Sequence, residues 1–205
     1  MSQTIETDRF ILRHFERADA ESGETVNRVQ YGMMEEIMEI KIIENNKKDF
    51  LDLLLLADEQ ESMIDKYLER GTLFALYDDS LKSICVVTDE GNNTFEIQNL
   101  ATYEQFQGQG YGRHLVKYVC DYYKNKGETM LVGTGDTPQT VSFYERCGFA
   151  FSHRLENYIL EHYDEPIFEA GVQLKDKVYF KMNLRKNTTE SVFDRCNEKG
   201  NGGFS

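Results

Sequence analysis

The sequence is poor in the features that mark secreted, membrane-spanning and metal-binding proteins. Its 205 residues include no tryptophan, two prolines and four cysteines. The cysteines are scattered without a CxxC pair, which is typical of free thiols in a reducing cytosol: Cys85, Cys120, Cys147 and Cys196. The N-terminus has no basic, apolar signal pattern, and the longest apolar run, around residues 51–57, is far shorter than the roughly 20 residues of a membrane span. We therefore expect a soluble, cytoplasmic protein without a membrane partner.

Basic residues are also scarce, and histidines are few. With 23 Lys and Arg against 36 Asp and Glu, the formal net charge is -13. Because affinity for nucleic acids comes mainly from Lys and Arg side chains that neutralise phosphates, this excess of acid argues against a nucleic-acid partner. An acidic surface attracts cationic substrates, although solubility explains the same charge. The four histidines show no metal-ligand spacing, so no metal is predicted: His14, His114, His153 and His162.

The periodicity of apolar residues predicts a mixture of strands and helices. Strands are predicted at residues 10–15, 38–43, 73–77, 83–88, 94–101, 130–132, 149–153 and 177–184, and helices at 49–57, 62–68, 138–146 and from the glycine cluster at 108–112 to near Gly127. Short turns join the three strands between residues 73 and 101, which predicts an antiparallel meander. The later alternation of strands and helices implies some parallel pairing. Together these patterns predict an α/β or α+β fold with one mixed sheet.

Length and composition predict one domain with an appendage at each end. The strand pattern of residues 10–15 begins again at 38–43, so residues 1–33 are interpreted as an N-terminal appendage and residues 34–184 as the domain. Residues 185–205 are polar and glycine-rich, which is typical of a disordered tail.

A glycine cluster carries the sharpest chemical signal. Residues 107–112 read Gln-Gly-Gln-Gly-Tyr-Gly, between a predicted strand and a predicted helix, and Arg113 adds a cation. Unpaired amides at a helix N-terminus bind anions, and glycines let a bulky pyrophosphate approach the backbone. A Walker loop would end in Gly-Lys-Ser/Thr and a dinucleotide fingerprint would read GxGxxG in the first strand-helix-strand unit, and neither fits. An acyl-CoA site and a glycine turn without a ligand are the interpretations that remain.

At this point the sequence resembles the GNAT superfamily of acyl-CoA N-acyltransferases. Residues 107–112 match the family's pyrophosphate loop, Q/R-x-x-G-x-G/A, at every fixed position, and residues 142–149 (SFYERCGF) are similar to its F-Y-x-x-x-G-F segment. The resemblance covers roughly residues 38–184. It implies acetyl-CoA as cosubstrate and a mainly antiparallel sheet flanked by helices. It also implies a bulge in strand 94–101 and a V-shaped splay between the fourth and fifth core strands.

The same resemblance implies a set of cosubstrate contacts. The pyrophosphate is expected on the loop and the first helical turn: Gln107, Gly108, Gln109, Gly110, Tyr111, Gly112 and Arg113. Backbone groups of Leu100, Ala101 and Thr102 are expected to pair with the pantetheine arm. The amide of Leu100 or Ala101 would polarise the thioester carbonyl. Thr137 stands where many relatives contact CoA through an asparagine.

Acetyl transfer also needs a neutral amine and a proton for the departing thiolate. Glu96 lies eleven residues before Gln107, where some family members place a general base. An exposed strand carboxylate is the alternative, and Gln98 could instead hold a water. Tyr144 occupies the position of the family's general acid, with aromatic packing as the alternative. No nucleophile for an acyl-enzyme is evident, since a thiol at a helix end, such as Cys147, is typically structural.

The acceptor is inferred from residues 156–176, which are acidic and aromatic where related enzymes often shape the acceptor pocket. A solvated loop is the alternative. We predict direct transfer of an acetyl group from acetyl-CoA to a primary amine, specifically a small cationic one. The alternatives are a protein N-terminal or lysine acetyltransferase and a non-catalytic CoA-binding regulatory module, which a Tyr144 directed away from the slot would favour. The predicted partners are acetyl-CoA and the amine, with a homodimer left open.

Overall fold

The computed structural model describes residues 38–169 and 171–185. The strands are β1 (Glu39–Ile43), β2 (Thr72–Asp78), β3 (Ser80–Gly91), β4 (Thr94–Thr102), β5 (Thr129–Gly135), β6 (Ala150–Leu155), β7 (Phe168–Glu169), β8 (Val172–Gln173) and β9 (Lys177–Asn183). Seven of these form one sheet in the order β1-β2-β3-β4-β5-β9-β6, and β7 pairs with β8 in a separate hairpin. β4 and β5 run parallel, and every other pair in the sheet is antiparallel.

The helices follow from amphipathic spacing and capping. In the described part of the chain they are α1 (Leu51–Leu54), α2 (Glu61–Ile64), α3 (Tyr111–Tyr123), α4 (Pro138–Arg146) and α5 (Tyr158–His162), with 3-10 turns at Lys47–Phe50 and Glu104–Phe106. α3 buries an apolar face against the sheet. α4 begins at Pro138 because Thr137 caps it, with Thr137 Oγ1 accepting from the Thr140 N–H at 3.4 Å.

Alternation along β4 gives the sheet two faces of different character. Phe95 and Ile97 point into the core beneath α3 and α4, which we name the α3 face. Asn99 points to the opposite side, the α1 face, where its Nδ2 donates to the backbone oxygen of Leu54 at 3.0 Å. Because successive strand residues alternate, Glu96 also lies on the α1 face.

β4 and β5 pair over only part of their length. The parallel ladder ends where Ile97 pairs with Val132, although β4 continues to Thr102 and β5 to Gly135. The two strands therefore separate and leave an opening, which we name the gap. The predicted V-shaped splay is confirmed.

A β-bulge marks the point of separation. On its other edge β4 stays paired with β3, but the register shifts so that Asn99 pairs with Val86 and Ile97 pairs with Val87. Gln98 is thus the extra residue, and a bulge of this kind bends its strand. The predicted bulge in this strand is present, and it directs β4 away from β5.

The predicted fold class is confirmed, but several boundaries differ. The helices predicted at 49–57 and 62–68 are shorter because the chain tightens into i to i-3 turns, as where the Leu56 N–H donates to the Leu53 oxygen at 3.2 Å. α3 ends at Tyr123 rather than near Gly127 for the same reason, since the Lys126 N–H donates to the Tyr123 oxygen at 2.8 Å.

Some elements of the fold were not predicted, and some predictions fall outside the described residues. α5 and the β7-β8 hairpin were not predicted, because elements of five and two residues show no clear periodicity. The strand at 10–15, the appendage 1–33 and the tail beyond residue 185 lie outside the described residues. Among the described helices, none is long and apolar enough to cross a membrane.

Candidate active site

A cavity of about 840 Å³ lies at the gap between β4 and β5. On the α3 face its walls come from the end of β4, the glycine loop 107–113 and α4. On the α1 face they come from residues 56–70 and from the segment around α5 and β7. The predicted residues in the lining are Leu100, Ala101, Thr102, Gln107, Gly108, Gly110, Tyr111, Gly112, Arg113 and Tyr144, whereas Gln109, Thr137 and Glu96 lie outside it.

The glycine loop reaches α3 through left-handed backbone positions. Gly108 has a φ of 75° and Gly110, the residue before α3, a φ of 93°. Residues with a side chain rarely adopt such angles. At Gly112 a Cβ would lie 3.3 Å from Thr102 Oγ1 and 3.7 Å from the Phe143 ring, so glycine lets the helix start close to β4 and α4. The loop therefore presents bare backbone to the cavity.

Two glutamine side chains hold the loop in this shape. Gln107 Nε2 donates to the backbone oxygen of Thr102 at 3.1 Å. Gln109 Nε2 donates to the backbone oxygen of Gln105 at 2.9 Å. Both amides are thus used to brace the loop, and Gln109 acts from outside the cavity lining.

The start of α3 is fixed and electropositive. The Tyr111 hydroxyl donates to Asp78 Oδ2 at 2.6 Å, which ties the helix to the β2-β3 turn. Arg113 and Arg146 both line the cavity nearby. The first amides of a helix have no intrahelical acceptor, and the helix dipole is positive there. This end of the cavity can therefore bind a ligand that carries phosphates.

Tyr144 lies on α4 between the core and the cavity. Its ring packs edge-on against Phe143 and Phe149, with centroids 5.1 Å and 5.8 Å away, and stacks on Phe180 at 6.4 Å. Burial raises the pKa of Tyr144 above the ordinary tyrosine value, so the phenol is protonated at neutral pH. Tyr144 also lines the cavity, so the side chain combines aromatic packing with a possible proton donor.

Glu96 is a buried carboxylate with a cationic neighbour. Its side chain is on the α1 face, and the residue is 8% exposed. Lys177 Nζ lies 3.9 Å from Glu96 Oε1, and Tyr179 hydrogen-bonds to the same carboxyl. Burial raises the pKa of Glu96, while the charge of Lys177 opposes that shift. Burial likewise lowers the pKa of Lys177, and Glu96 opposes it. Lys177 lines the cavity, whereas Glu96 does not.

A second carboxylate, Asp58, lines the cavity just after α1. Tyr67 donates to Asp58 Oδ2 at 3.4 Å, and the Tyr163 hydroxyl hydrogen-bonds to the same carboxyl. Burial raises the pKa of Asp58, and the Tyr163 hydroxyl opposes the shift. Asn99 Nδ2 donates to the Tyr67 hydroxyl at 3.0 Å. The Gln60 backbone N–H also hydrogen-bonds to the Asp58 carboxyl. Among the described residues, Asp58 Oδ1 and Asn99 Oδ1 are buried atoms without a close donor, so they are polar groups of the cavity wall rather than acceptors open to the cavity.

Hydrogen bonds fasten the segment 156–176 to its surroundings, among them the bond between Arg154 and Asp176 Oδ2 at 2.6 Å. The Asp164 N–H donates to Gln60 Oε1 at 3.0 Å, next to the contact between Tyr163 and Asp58. Further along, Glu169 Oε1 accepts from the hydroxyls of Thr137 and Thr140, each at 2.9 Å. Thr137 is therefore engaged in capping α4 and in holding this segment.

The same segment covers the α1-face end of the cavity with mostly apolar groups. The residues it contributes to the lining are Tyr158, Ile159, Tyr163, Ile167, Phe168, Glu169 and Leu174. Of its other carboxylates, Glu156, Glu161, Asp164 and Glu165 are exposed and Asp176 is half-buried, and all five lie outside the lining. The acidity noted in the sequence is thus mostly on the outer surface, and the carboxylates of the lining are Asp58, Glu59 and Glu169.

The sequence did not single out Asp58, Asn99, Tyr67 or Lys177. These residues come from separate segments that only the fold brings together, and none belongs to a motif. Alternation along strand 177–184 was a usable signal, because it places Lys177 and Tyr179 on one face of β9.

The described residues provide neither a metal site nor a reactive cysteine. In residues 38–169 and 171–185, no group of three or more His, Cys, Asp and Glu side chains could hold a metal ion. Burial raises the pKa of Cys147 to about 11 and that of Cys120 to about 12, and it raises the pKa of Cys85 as well. These three side chains are thiols rather than thiolates at neutral pH, so they are poor nucleophiles.

Comparisons with known proteins identify the family of this chain. The sequence model of the acetyltransferase (GNAT) family matches residues 34–149. An uncharacterized N-acetyltransferase, YvbK of Bacillus subtilis (strain 168), is 35% identical over 150 residues, which are 72% of this chain and 97% of that protein.

Two solved structures share the fold and hold the cosubstrate or its product. A Bacillus subtilis acetyltransferase in complex with CoA has a TM-score of 0.67 and 34% identity, over 72% of this chain and 99% of that one. A GNAT family acetyltransferase from Elizabethkingia anophelis with acetyl-CoA bound has a TM-score of 0.68 and 32% identity, over 71% and 97%. With its glycine loop and splayed strands, the chain belongs to the acetyltransferase (GNAT) family and is an acetyl-CoA-dependent N-acetyltransferase.

Proposed function

We propose that acetyl-CoA binds with its pyrophosphate on the amides of residues 108–113 and its pantetheine arm in the gap. β4 loses its β5 partner after Ile97, so no strand pairs with residues 100–102 on that edge, although the Thr102 oxygen already accepts from Gln107 Nε2. Arg113 and Arg146 supply positive charge beside the phosphates. The amide of Leu100 or Ala101 polarises the thioester carbonyl. Gln109 and Thr137 act indirectly, by bracing the loop and capping α4.

The acceptor amine attacks the thioester directly. A nitrogen–carbon bond forms, the carbon–sulfur bond breaks, and Glu96 takes the proton that the acceptor must lose. Because Lys177 rather than Glu96 lines the cavity, that proton passes through a water. Tyr144 gives a proton to the departing CoA thiolate. Burial supports both roles, since it makes Glu96 a stronger base and keeps the Tyr144 phenol protonated.

The acceptor is a small cationic amine. The observation that supports this choice is the carboxylate of Asp58 in the cavity lining. The charge of Lys177 is offset mainly by Glu96 at 3.9 Å, whereas Asp58 lines the cavity and forms no close ion pair with a described residue, although the charge of Lys177 lowers its pKa. An ammonium group would pair with the Asp58 carboxylate beside Tyr67 and Tyr163, which line the same cavity. The bond between Asp164 and Gln60 closes the segment 156–176 over this end, which favours a compact substrate over a long peptide.

The described cysteines bear on the cell location of the protein. Cys85, Cys120 and Cys147 are free thiols, which favours a reducing cytosol. A homodimer stays a hypothesis. The partners required by the proposed reaction are acetyl-CoA and the amine.

The experiment is a CoA-release assay against simple amines, polyamines, aminoglycosides and a peptide library. It compares the wild type with Asp58→Asn and with Asp65→Asn, whose side chain is 51% exposed and paired with Lys48. A hydrogen bond to a charged group is worth about 1.5–3 kcal/mol, so Asp58→Asn should raise the KM for the amine about tenfold or more. The KM for acetyl-CoA should not change, and Asp65→Asn should behave as the wild type.

Two results would contradict parts of this proposal. A peptide library acetylated much faster than every small amine would favour the protein acetyltransferase. An unchanged amine KM in Asp58→Asn would remove Asp58 from the acceptor site while leaving the cosubstrate site intact.

A further inference from the structure

Lys177 places a primary amine inside the cavity of an enzyme that acetylates amines. Its side chain starts on β9 and crosses β5 at Gly133, where a Cβ would overlap Lys177 Cε and lie 2.9 Å from the Tyr179 ring. Glycine at residue 133 is therefore what lets the lysine lie across the strand. The side chain is 21% exposed and lines the cavity.

The position of this amine relative to the gap is specific. Gly133 directly follows Val132, the last residue of β5 that pairs with β4. Lys177 Nζ then lies 3.9 Å from Glu96 Oε1 on β4. It also lies 5.2 Å from the ring centroid of Tyr158 and 5.1 Å from that of Tyr179. The amine is thus held where the strands begin to separate, beside the carboxylate proposed as the base.

We propose that Lys177 accepts the acetyl group itself when acetyl-CoA is bound and no acceptor amine is present. The proposal rests on the proposed function, because it needs the thioester in the gap. The neutral Nζ attacks the thioester carbonyl, a nitrogen–carbon bond forms and the carbon–sulfur bond breaks. The Nζ proton passes to Glu96, and Tyr144 gives a proton to the CoA thiolate. Water then carries the proton from Glu96 back to Tyr144, so both side chains return to their starting state. The products are acetyl-Lys177 and CoA.

The surroundings of Lys177 favour this reaction over modification of other lysines. Burial lowers the pKa of Lys177, so a larger fraction of its amine is neutral than on the surface, although the charges of Glu96 and Asp58 oppose this shift. Holding the amine beside the thioester replaces an encounter in solution by a positioned attack. Lys181 lies on the same face of β9 but is exposed, and the Lys117 side chain is 72% exposed. These two lysines lack both advantages.

Acetylation of Lys177 would change the charge and the free volume of the cavity. The amide is neutral, so Glu96 would lose its cationic neighbour, and the added acetyl group would occupy the α1-face end of the cavity. Turnover with an external amine should therefore fall after the modification. A bound acceptor should protect Lys177, because both amines compete for one thioester.

The test incubates the full-length protein with acetyl-CoA labelled with carbon-13 in the acetyl group, with no amine, and maps labelled lysines by peptide mass spectrometry. Lys177 should acquire label at least about tenfold faster than Lys181 and Lys117, as expected for a positioned amine. Adding an amine that the enzyme acetylates should slow the labelling of Lys177. Gly110→Trp, which should weaken acetyl-CoA binding, should reduce it towards the rate of the other two lysines.

A second measurement follows activity over time. Preincubation of the wild type with acetyl-CoA alone should lower its later turnover progressively, whereas Lys177→Arg, which keeps a cation beside Glu96, should show no such loss. Equal labelling of the three lysines, or label on Lys177 that persists in Gly110→Trp, would overturn the proposal. Turnover of small amines with no label on Lys177 would also overturn it and leave the proposed function standing. Selective label on Lys177 with no small amine acetylated would support it and contradict the proposed acceptor.

Discussion

The two ends of the cavity are built by different means. The end proposed for the cosubstrate is formed by backbone: a loop whose glycines at 108 and 110 have positive φ, followed by the start of a helix. The end proposed for the acceptor is formed by side chains: Asp58, Lys177 and Tyr163 come from three distant segments and line the same cavity. The gap between β4 and β5 joins the two ends.

This difference indicates what each end can tolerate. Backbone recognition depends on local conformation, so it should be sensitive at the glycines and tolerant elsewhere. Recognition by buried charges depends on burial and on neighbouring charges, so substitutions at the acceptor end should change substrate choice and pH dependence. Glu96 and Tyr144 lie on opposite faces beside the gap, where the two ends meet, and the largest effects should come from them.

Glu96→Gln should give the largest loss, about 10³-fold in kcat/KM, because the amide cannot accept the proton of the acceptor. CoA affinity should stay near the wild-type value, since Glu96 lies outside the cavity lining. Glu128→Gln, an exposed carboxylate paired with Arg185, is the matched control. Steady-state kinetics with isothermal calorimetry separate the two quantities, and wild-type turnover in Glu96→Gln would assign the base to a water chain.

The same variant tests a pH dependence with a defined sign. Burial raises the pKa of Glu96, and a base works only when ionised, so wild-type kcat/KM should fall on acidification from a higher pH than an exposed glutamate would give. Glu96→Gln should lack this acid limb. A limb that persists in the variant would show that another group titrates.

Tyr144→Phe should lower turnover about 10²-fold or more, because it removes a proton donor and little volume. Affinity for CoA should be nearly unchanged. Tyr123→Phe is the control, since that tyrosine is buried in the same core but lies outside the cavity lining. With the chemical step rate-limiting, equal turnover in the two variants would reduce Tyr144 to a packing residue.

Gly110→Trp should weaken CoA binding at least about tenfold, because a left-handed backbone costs a residue with a side chain roughly 1–2 kcal/mol and the indole would crowd the loop. Gly91→Trp is the matched control: its φ is 77°, its Cβ position is also open, and it is the last residue of β3, far along the chain from the loop. Calorimetry that finds wild-type affinity in Gly110→Trp would contradict the assigned pyrophosphate site.

The smallest effect should come from long-range charge. With a net charge of -13, kcat/KM for a cationic amine should fall a few-fold as ionic strength rises to about 0.15 M, where the screening length is near 8 Å. A neutral acceptor should lose less. Charge reversal of the exposed Glu161 and Asp164 should weaken the dependence, and a salt response equal for both acceptors would exclude steering.

The contrast between the two ends also explains what the sequence could reveal. The loop at 107–112 was predictable because its glycines, its preceding strand and its following helix are neighbours in the chain. Asp58 and Lys177 were not, because their importance depends on the segment 156–176 closing over them. The position of β9 between β5 and β6 depends on contacts between distant parts of the chain, so the local sequence pattern could not predict it.

The structure of this chain with acetyl-CoA bound tests the account most directly. We expect pyrophosphate oxygens about 3 Å from backbone nitrogens of residues 108–113 and the pantetheine arm between β4 and β5, beside Leu100 to Thr102. The thioester should face the cavity between Tyr144 and Lys177. A cosubstrate bound outside the gap, or one whose phosphates do not touch the loop, would contradict the account.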